Sequence, residues 1–315
     1  VGTFSNLAMP EMDRYGYKKE LSAGTIASVS TLGMILPPCT VLIIYGLQVE
    51  QSIGRLFLAG IVPSLVIAAL FMTVIAGWVS VKPAIAPRAE KATWKERFAV
   101  IPDAVIVGII FGIVIGGMIT GFFSPTESGT IGTVAIFFLA LARREVNIGM
   151  IIKSFKGALK TSIMTLMLIA GSAIFGHFLA ITEIPMIAAK WASGLAVPGF
   201  FVMVIIVAIY LIGGSIMDDL AFMVLATPIF FPTAVELGYD PIWFGILICI
   251  TLMIGGLIPP VAIYVFILGN ITGIPFKTIY KGVIPFLLAL IVALILLFTF
   301  PQIALWLPNL MMGKA

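Results

Sequence analysis

Apolar residues run along this chain in stretches too long for one face of a helix or strand, at 21–47, 61–81, 104–123, 127–142, 161–181, 199–231, 241–270 and 283–306. A helix crosses a bilayer core in roughly 20 residues, so the pattern predicts an all-α integral membrane protein. Two polar breaks carry clustered basic residues: Lys82, Arg88, Lys91, Lys95 and Arg97 in one, and Arg143, Arg144, Lys153, Lys156 and Lys160 in the other. Basic loops stay in the cytoplasm, so both are expected there, with two spans joined by the turn 121–129 going out and back between them. Trp78, Trp243 and Trp306 fall near span ends, where indole rings settle at the membrane interface. The stretch 148–159 reads as an amphipathic arm lying along the cytoplasmic interface.

Composition removes most other classes. Of 315 residues, 61% are hydrophobic and 10% charged, against about a quarter charged in soluble domains, which excludes a soluble enzyme. The net charge of +4 is spread over membrane loops and forms no basic face for nucleic acid; the lipid bilayer is the partner it points to. Cys39 and Cys249 both lie in apolar stretches and His177 is the single histidine, so neither a disulfide framework nor a histidine metal site is supported. The first apolar segment gives way to the polar stretch 10–20 after nine residues and has no signal-peptide pattern. This is expected to be the later part of a longer, N-terminally truncated chain.

The stretch Pro10 to Leu65 recurs as Pro232 to Leu287, every position shifted by 222 (232 − 10) without a gap. The shared residues are mostly backbone-shaping ones: Pro10/Pro232, Gly16/Gly238, Gly33/Gly255, Pro37/Pro259, Pro38/Pro260, Gly60/Gly282 and Pro63/Pro285, joined by Tyr17/Tyr239, Ile26/Ile248 and Leu65/Leu287. Each copy sets Gly and then Pro-Pro inside an apolar run, and two adjacent prolines cannot continue a helix. Carbonyls freed at bilayer depth are tolerated when buried in protein or lining a cavity, where they can coordinate a cation. The basic residues Arg14, Lys18 and Lys19 precede the first break, whereas Glu236 and Asp240 precede the second. That bias predicts inverted copies.

Inversion needs an odd number of crossings between the two breaks, which holds only if 199–231 does not cross. This segment is therefore expected to be a re-entrant hairpin with its tip at Gly213-Gly214-Ser215-Ile216-Met217-Asp218-Asp219, the glycines permitting unusual backbone angles. The corresponding tip of the first copy would precede Val1.

Met9-Pro10-Glu11-Met12 with Tyr15-Gly16-Tyr17, Thr31-Leu32-Gly33 running to Pro38, Glu50-Gln51-Ser52-Ile53-Gly54, Ser124-Pro125-Thr126-Glu127, Gly238-Tyr239-Asp240-Pro241 and the second Pro-Pro break together resemble one family over essentially the whole chain. That family is the large membrane subunit, the DctM-like permease, of the tripartite ATP-independent periplasmic (TRAP) transporters. The resemblance implies an inverted-repeat, elevator-type transporter with re-entrant hairpins and two broken helices, in the bacterial inner membrane. It further implies a secondary active, sodium-coupled importer of organic acids such as C4-dicarboxylates or sialic acid. A small membrane subunit and a periplasmic substrate-binding protein would be its partners, with sodium as coupling ion and no other cofactor. The expected division is 1–82 as the first-repeat part of the transport domain, 83–101 as a cytoplasmic linker, 102–198 as scaffold-type spans with the amphipathic arm, and 199–315 as the second-repeat part of the transport domain.

Carried over by position, the resemblance places ion and substrate binding at Gly33, Met34, Leu36, Pro37 and Pro38 in one break. In the other half it uses Gly214, Ser215, Asp218, Gly255, Gly256, Ile258, Pro259 and Pro260. Sodium would be held by backbone around Gly33, Pro37, Gly255 and Pro259 and by the Ser215 side chain. Ile258 stands where the family commonly has Thr, and Cys39 where it has Ser, which shifts coordination towards the backbone. Asp218 is expected to be ion-linked or tip-stabilising, with helix capping as the other reading. Glu127 is expected to cap a helix and Asp103 to open one after Pro102. His177 reads as a packing or interhelical hydrogen-bonding residue. A channel, or an intramembrane hydrolase using Asp218 and Asp219, is the alternative function.

Overall fold

The computed structural model describes residues 1–87, 93–144, 146–183, 186–187 and 198–313. Among them run thirteen α-helices: α1 (Gly2–Arg14), α2 (Lys19–Thr31), α3 (Thr40–Gln48), α4 (Ile53–Val81), α5 (Trp94–Ile119), α6 (Pro125–Ala142), α7 (Ile148–Thr182), α8 (Gly199–Ile216), α9 (Asp219–Glu236), α10 (Pro241–Gly255), α11 (Ile263–Thr272), α12 (Phe276–Thr299) and α13 (Gln302–Met312). Six of these, α4, α6, α7, α8, α9 and α12, are long and apolar enough to cross a membrane. The chain is an all-α membrane protein. Arg88 and Lys91 of the expected linker lie outside the described residues.

The internal repeat is built as two sets of helices. Shifted by 222 residues, α2 falls on α10, α3 on α11 and α4 on α12, while α1 falls on the last thirteen residues of α9. α2 passes through a 3₁₀ turn, Leu32–Met34, into Pro37-Pro38, and α10 ends at Gly255 before Pro259-Pro260. Both Pro-Pro peptide bonds are cis. Because proline lacks an N–H and crowds the preceding turn, each apolar run becomes two helices with an irregular link between them.

Contacts along α12 fix the relative direction of the copies. Near its start, Gly282 is pressed against the backbone of Glu20 and Gly24, early in α2, and Lys281 Nζ lies 3.8 Å from Glu20 Oε1. Near its end, the Leu297 carbonyl accepts a 3.0 Å hydrogen bond from Nε1 of Trp243, early in α10. At 1.5 Å per residue these contacts are about 22 Å apart. The two broken helices therefore begin at opposite ends of α12, and the copies are inverted.

Residues Val1–Ala89 and Phe175–Ala315 form one compact unit. Its core is the broken helices themselves: α10 is buried from Ile242 to Gly255, and α2 buries Leu21, Ala23, Ile26 and Ala27 with Ser22, Ser28 and Thr31. A helix apolar all round belongs in an interior. α2 packs on α12, and α10 packs on both α4 and α12, so each repeat is completed by the other. Trp243 is part of this core, 2% exposed, rather than an interfacial ring. Trp306 is exposed.

The other compact unit is Glu90–Ile174. Within it α5 packs on α6, with Gly132 facing Val114, while Gly117 faces the ring of Phe123 in the turn between them. Glu127 caps α6 as expected: its Oε2 accepts the Ser124 N–H at 2.7 Å, and Ser124 Oγ accepts the Glu127 N–H at 3.3 Å, a reciprocal capping box. Val107, Ile109, Ile136 and Phe138 point outward, as lipid-facing side chains do.

Three expectations about boundaries are corrected. α5 begins at Trp94 and runs through Pro102, so Asp103 lies inside a helix and does not open one. The stretch 148–159 continues into 160–182 as one 35-residue helix, because no proline interrupts it, and forms no separate arm. The last apolar run breaks at Phe300, whose φ of −125° and ψ of 77° lie outside the helical region that a following proline disfavours; α13 starts afresh after Pro301.

Candidate ion and substrate site

The hairpin of α8 and α9 is pinned by Tyr210, whose hydroxyl is 3.2 Å from Thr227 Oγ1. The Tyr210 ring sits edge-on to Phe222, with centroids 5.6 Å apart. The turn itself is Met217–Asp218. Gly213, Gly214 and Ser215 remain helical to Ile216, which corrects the reading of the glycines as turn residues. They are needed for close approach: a Cβ on Gly213 would strike the Phe222 ring, and one on Gly214 would come within 2.8 Å of Leu252 Cδ2.

The hairpin tip is stitched to the second break. In an unbroken helix the Val261 N–H would bond the Leu257 carbonyl four residues back. Here it donates to the Ser215 carbonyl at 3.1 Å, which releases Leu257 and locks tip to break. Gly255 lies on Gly214 closely enough that a Cβ would meet backbone at 2.9 Å. Ser215 Oγ donates to the Ile212 carbonyl at 2.7 Å, leaving its lone pairs free to accept.

The two acids at the tip differ sharply. Asp218 is exposed, and its Oδ1 accepts from the N–H groups of Leu220 at 3.1 Å and Ala221 at 3.3 Å: it is the N-cap of α9. Asp219 is 7% exposed. Its Oδ2 accepts a 2.9 Å hydrogen bond from the Tyr264 hydroxyl, and its buried Oδ1 has no hydrogen-bond partner among the described residues. That oxygen faces Gly256, 3.3 Å from where a Cβ would stand. A buried carboxylate oxygen without a hydrogen-bond partner is costly unless a cation or a proton neutralises it.

The first break reaches the same place. Met34 is buried, and its Sδ lies 3.0 Å from the Tyr264 hydroxyl. Gly33, Leu36 and Pro38 are exposed along this break, and Pro37 is buried. Ile35 turns its carbonyl towards Gly60 of α4. Across the tip and second break, Gly213 to Ser215, Gly255 and Gly256 are buried, whereas Pro259 and Pro260 are exposed and Ile258 is half-buried. Met34, Gly214, Ser215, Gly255 and Gly256 thus converge, and Asp218 stands outside them as a cap. Tyr264 and the prominence of Asp219 over Asp218 were not foreseen: an aromatic in an apolar run carries no signal, and adjacent acids differ only once the turn is placed. His177 is exposed on α7.

A family model described as "Tripartite ATP-independent periplasmic transporter, DctM component" matches residues 1–303. The chain belongs to this family. Over 310 residues it is 32% identical to a C4-dicarboxylate TRAP transporter large permease protein of Pseudomonas aeruginosa, covering 98% of this chain and 72% of the relative. It is 29% identical to a sialic acid TRAP transporter large permease protein of Vibrio cholerae, covering 99% and 73%. Against an isethionate TRAP transporter permease protein of Oleidesulfovibrio alaskensis the identity is 30%, covering 95% of this chain and 47% of the longer relative. These relatives are permeases, not enzymes, and a DctM component with six membrane-length helices is a multi-pass inner-membrane protein.

Proposed function

We propose that this DctM-family chain carries an organic acid across the inner membrane together with sodium ions. The observation that carries the reading is the joint between hairpin tip and second break. There a buried carboxylate oxygen of Asp219 without a hydrogen-bond partner among the described residues faces Gly256, beside the point where the Val261 N–H ties the break to the Ser215 carbonyl. Hard cations take oxygen ligands, and sodium would balance the acid at membrane depth. The first break, around Gly33, Met34, Leu36, Pro37 and Pro38, supplies the equivalent backbone for a second ion. Asp218 stabilises the tip. The anionic substrate would be drawn by bound sodium and helix ends.

In this reading 1–82 and 199–315 form the moving transport domain, 83–101 links it, and 102–198 is scaffold. Motion of the first relative to the second exposes the site to each side in turn. A small membrane subunit and a periplasmic binding protein complete the transporter. The relatives' names, with C4-dicarboxylate, sialic acid and isethionate, support a small organic acid anion as the substrate class.

The test is uptake of labelled C4-dicarboxylates and sialic acid into proteoliposomes that hold the complete permease with both partners. Saturable uptake that requires an inward sodium gradient and is lost in Asp219→Asn is the expected result. Uptake indifferent to sodium would keep the carrier and remove the ion; flux that never saturates would indicate a channel.

A further inference from the structure

We propose that Tyr264 is a positioning residue that couples the two helix breaks: it holds Asp219 with one carboxylate oxygen turned to the cation site and makes that site sensitive to the first break. This deepens the reading of Asp219 as a sodium ligand and rests on it.

Tyr264 belongs to the first turn of α11, directly after the second break. Its ring lies on Gly256, where a Cβ would collide with Cε2 and Cδ2, and its N–H donates to the Gly256 carbonyl at 3.3 Å. The ring is therefore seated on the break. Its hydroxyl has one proton and two acceptors in reach, Asp219 Oδ2 at 2.9 Å and Met34 Sδ at 3.0 Å. A carboxylate is a far stronger acceptor than a thioether, so the proton goes to Asp219 and the sulfur rests against the hydroxyl oxygen.

Two consequences follow from one atom. With Oδ2 engaged by the hydroxyl, the oxygen Asp219 turns to a cation is the unpartnered Oδ1, in a direction set by a ring packed on Gly256. And because Met34 comes from the other break, 230 residues away in sequence, any shift of the first break on ion binding moves the hydroxyl, and with it the ligand of the second. The site would then bind sodium cooperatively. Partners that orient a metal ligand are typically worth about 10- to 100-fold in affinity.

The readout is sodium-specific thermal stabilisation of the purified complete permease complex, titrated with sodium chloride against choline chloride, which needs no identified substrate. A cation bound only by the folded state raises its melting temperature with concentration. Wild type should show a steep, saturating sodium response, and Asp219→Asn only the shallow remainder that the first break supplies. Tyr264→Phe keeps the ring on Gly256 and should move the sodium midpoint up about tenfold while flattening the curve. Met34→Leu, a volume-conserving change, should flatten the curve in wild type and add nothing in Tyr264→Phe; it serves as the second probe should Tyr264→Phe fold poorly. A wild type without sodium-specific stabilisation would remove the sodium reading and this inference together. A sodium response that Tyr264→Phe and Met34→Leu leave unchanged in midpoint and steepness would overturn this inference alone.

Discussion

At Asp218 and Asp219, neighbouring identical side chains have been given opposite work by one turn of backbone. Asp218 satisfies two N–H groups at the start of α9, so Asp218→Ala should lower stability by about 1 kcal/mol, the usual worth of an N-cap. Thermal unfolding would show it, with sodium-dependent uptake retained. Asp219→Asn removes the charge and should instead abolish sodium-dependent uptake. Ala262 supplies another residue-scale test. It adopts φ 47° and ψ 65°, a left-handed conformation that costs a residue bearing a Cβ roughly 1 kcal/mol. Ala262→Gly should therefore raise stability by about that amount, and an unchanged or lowered melting temperature would count against the strained geometry.

Between elements, the tightest joint is the crossing of α2 and α12 at Gly24 and Gly282, where a side chain on either would enter the backbone of the other. Helices in membranes associate through such small-residue contacts. Gly282→Leu should cost about 2 kcal/mol or more by overpacking, seen as a fall in melting temperature and in the yield of monodisperse protein. The exposed ion pair Glu20 to Lys281 at the same crossing adds little. What the sequence revealed at this scale were the features that glycine and proline encode locally. The constant shift of 222 residues anticipates the pairing of α2 with α10, α3 with α11 and α4 with α12, because those residue types dictate backbone shape wherever they occur. What it hid depends on neighbours distant in the chain: the burial of Trp243 against Leu297, the seat of Tyr264 on Gly256, and the use of Gly213 and Gly214 for packing. Pro102 misled because a proline one turn into a helix and one nearer its middle look alike in sequence.

For the whole molecule, the inverted arrangement makes a sided prediction. Lys18, just before α2, and Glu236, at the end of α9 before α10, are both exposed, and the two broken helices start at opposite ends of α12. Lys18→Cys should react with a membrane-impermeant thiol reagent only from the cytoplasmic side, and Glu236→Cys only from the periplasmic side; labelling of both from one side would contradict the inversion. The native Cys39 and Cys249 are buried and should stay silent.

The joint between Gly24 and Gly282 also imposes an order of events during synthesis. The partners are separated by 258 residues (282 − 24), which at ribosomal speeds of 5–20 residues per second is a wait of about 13 to 50 s. For that time α2 and its broken continuation reside in the membrane with opened backbone and without the helix that will cover them, a state the bilayer penalises. The first half of the repeat is therefore a client awaiting its own C-terminal half, and a ribosome stalled anywhere before α12 leaves behind a segment that membrane quality control has physical grounds to recognise.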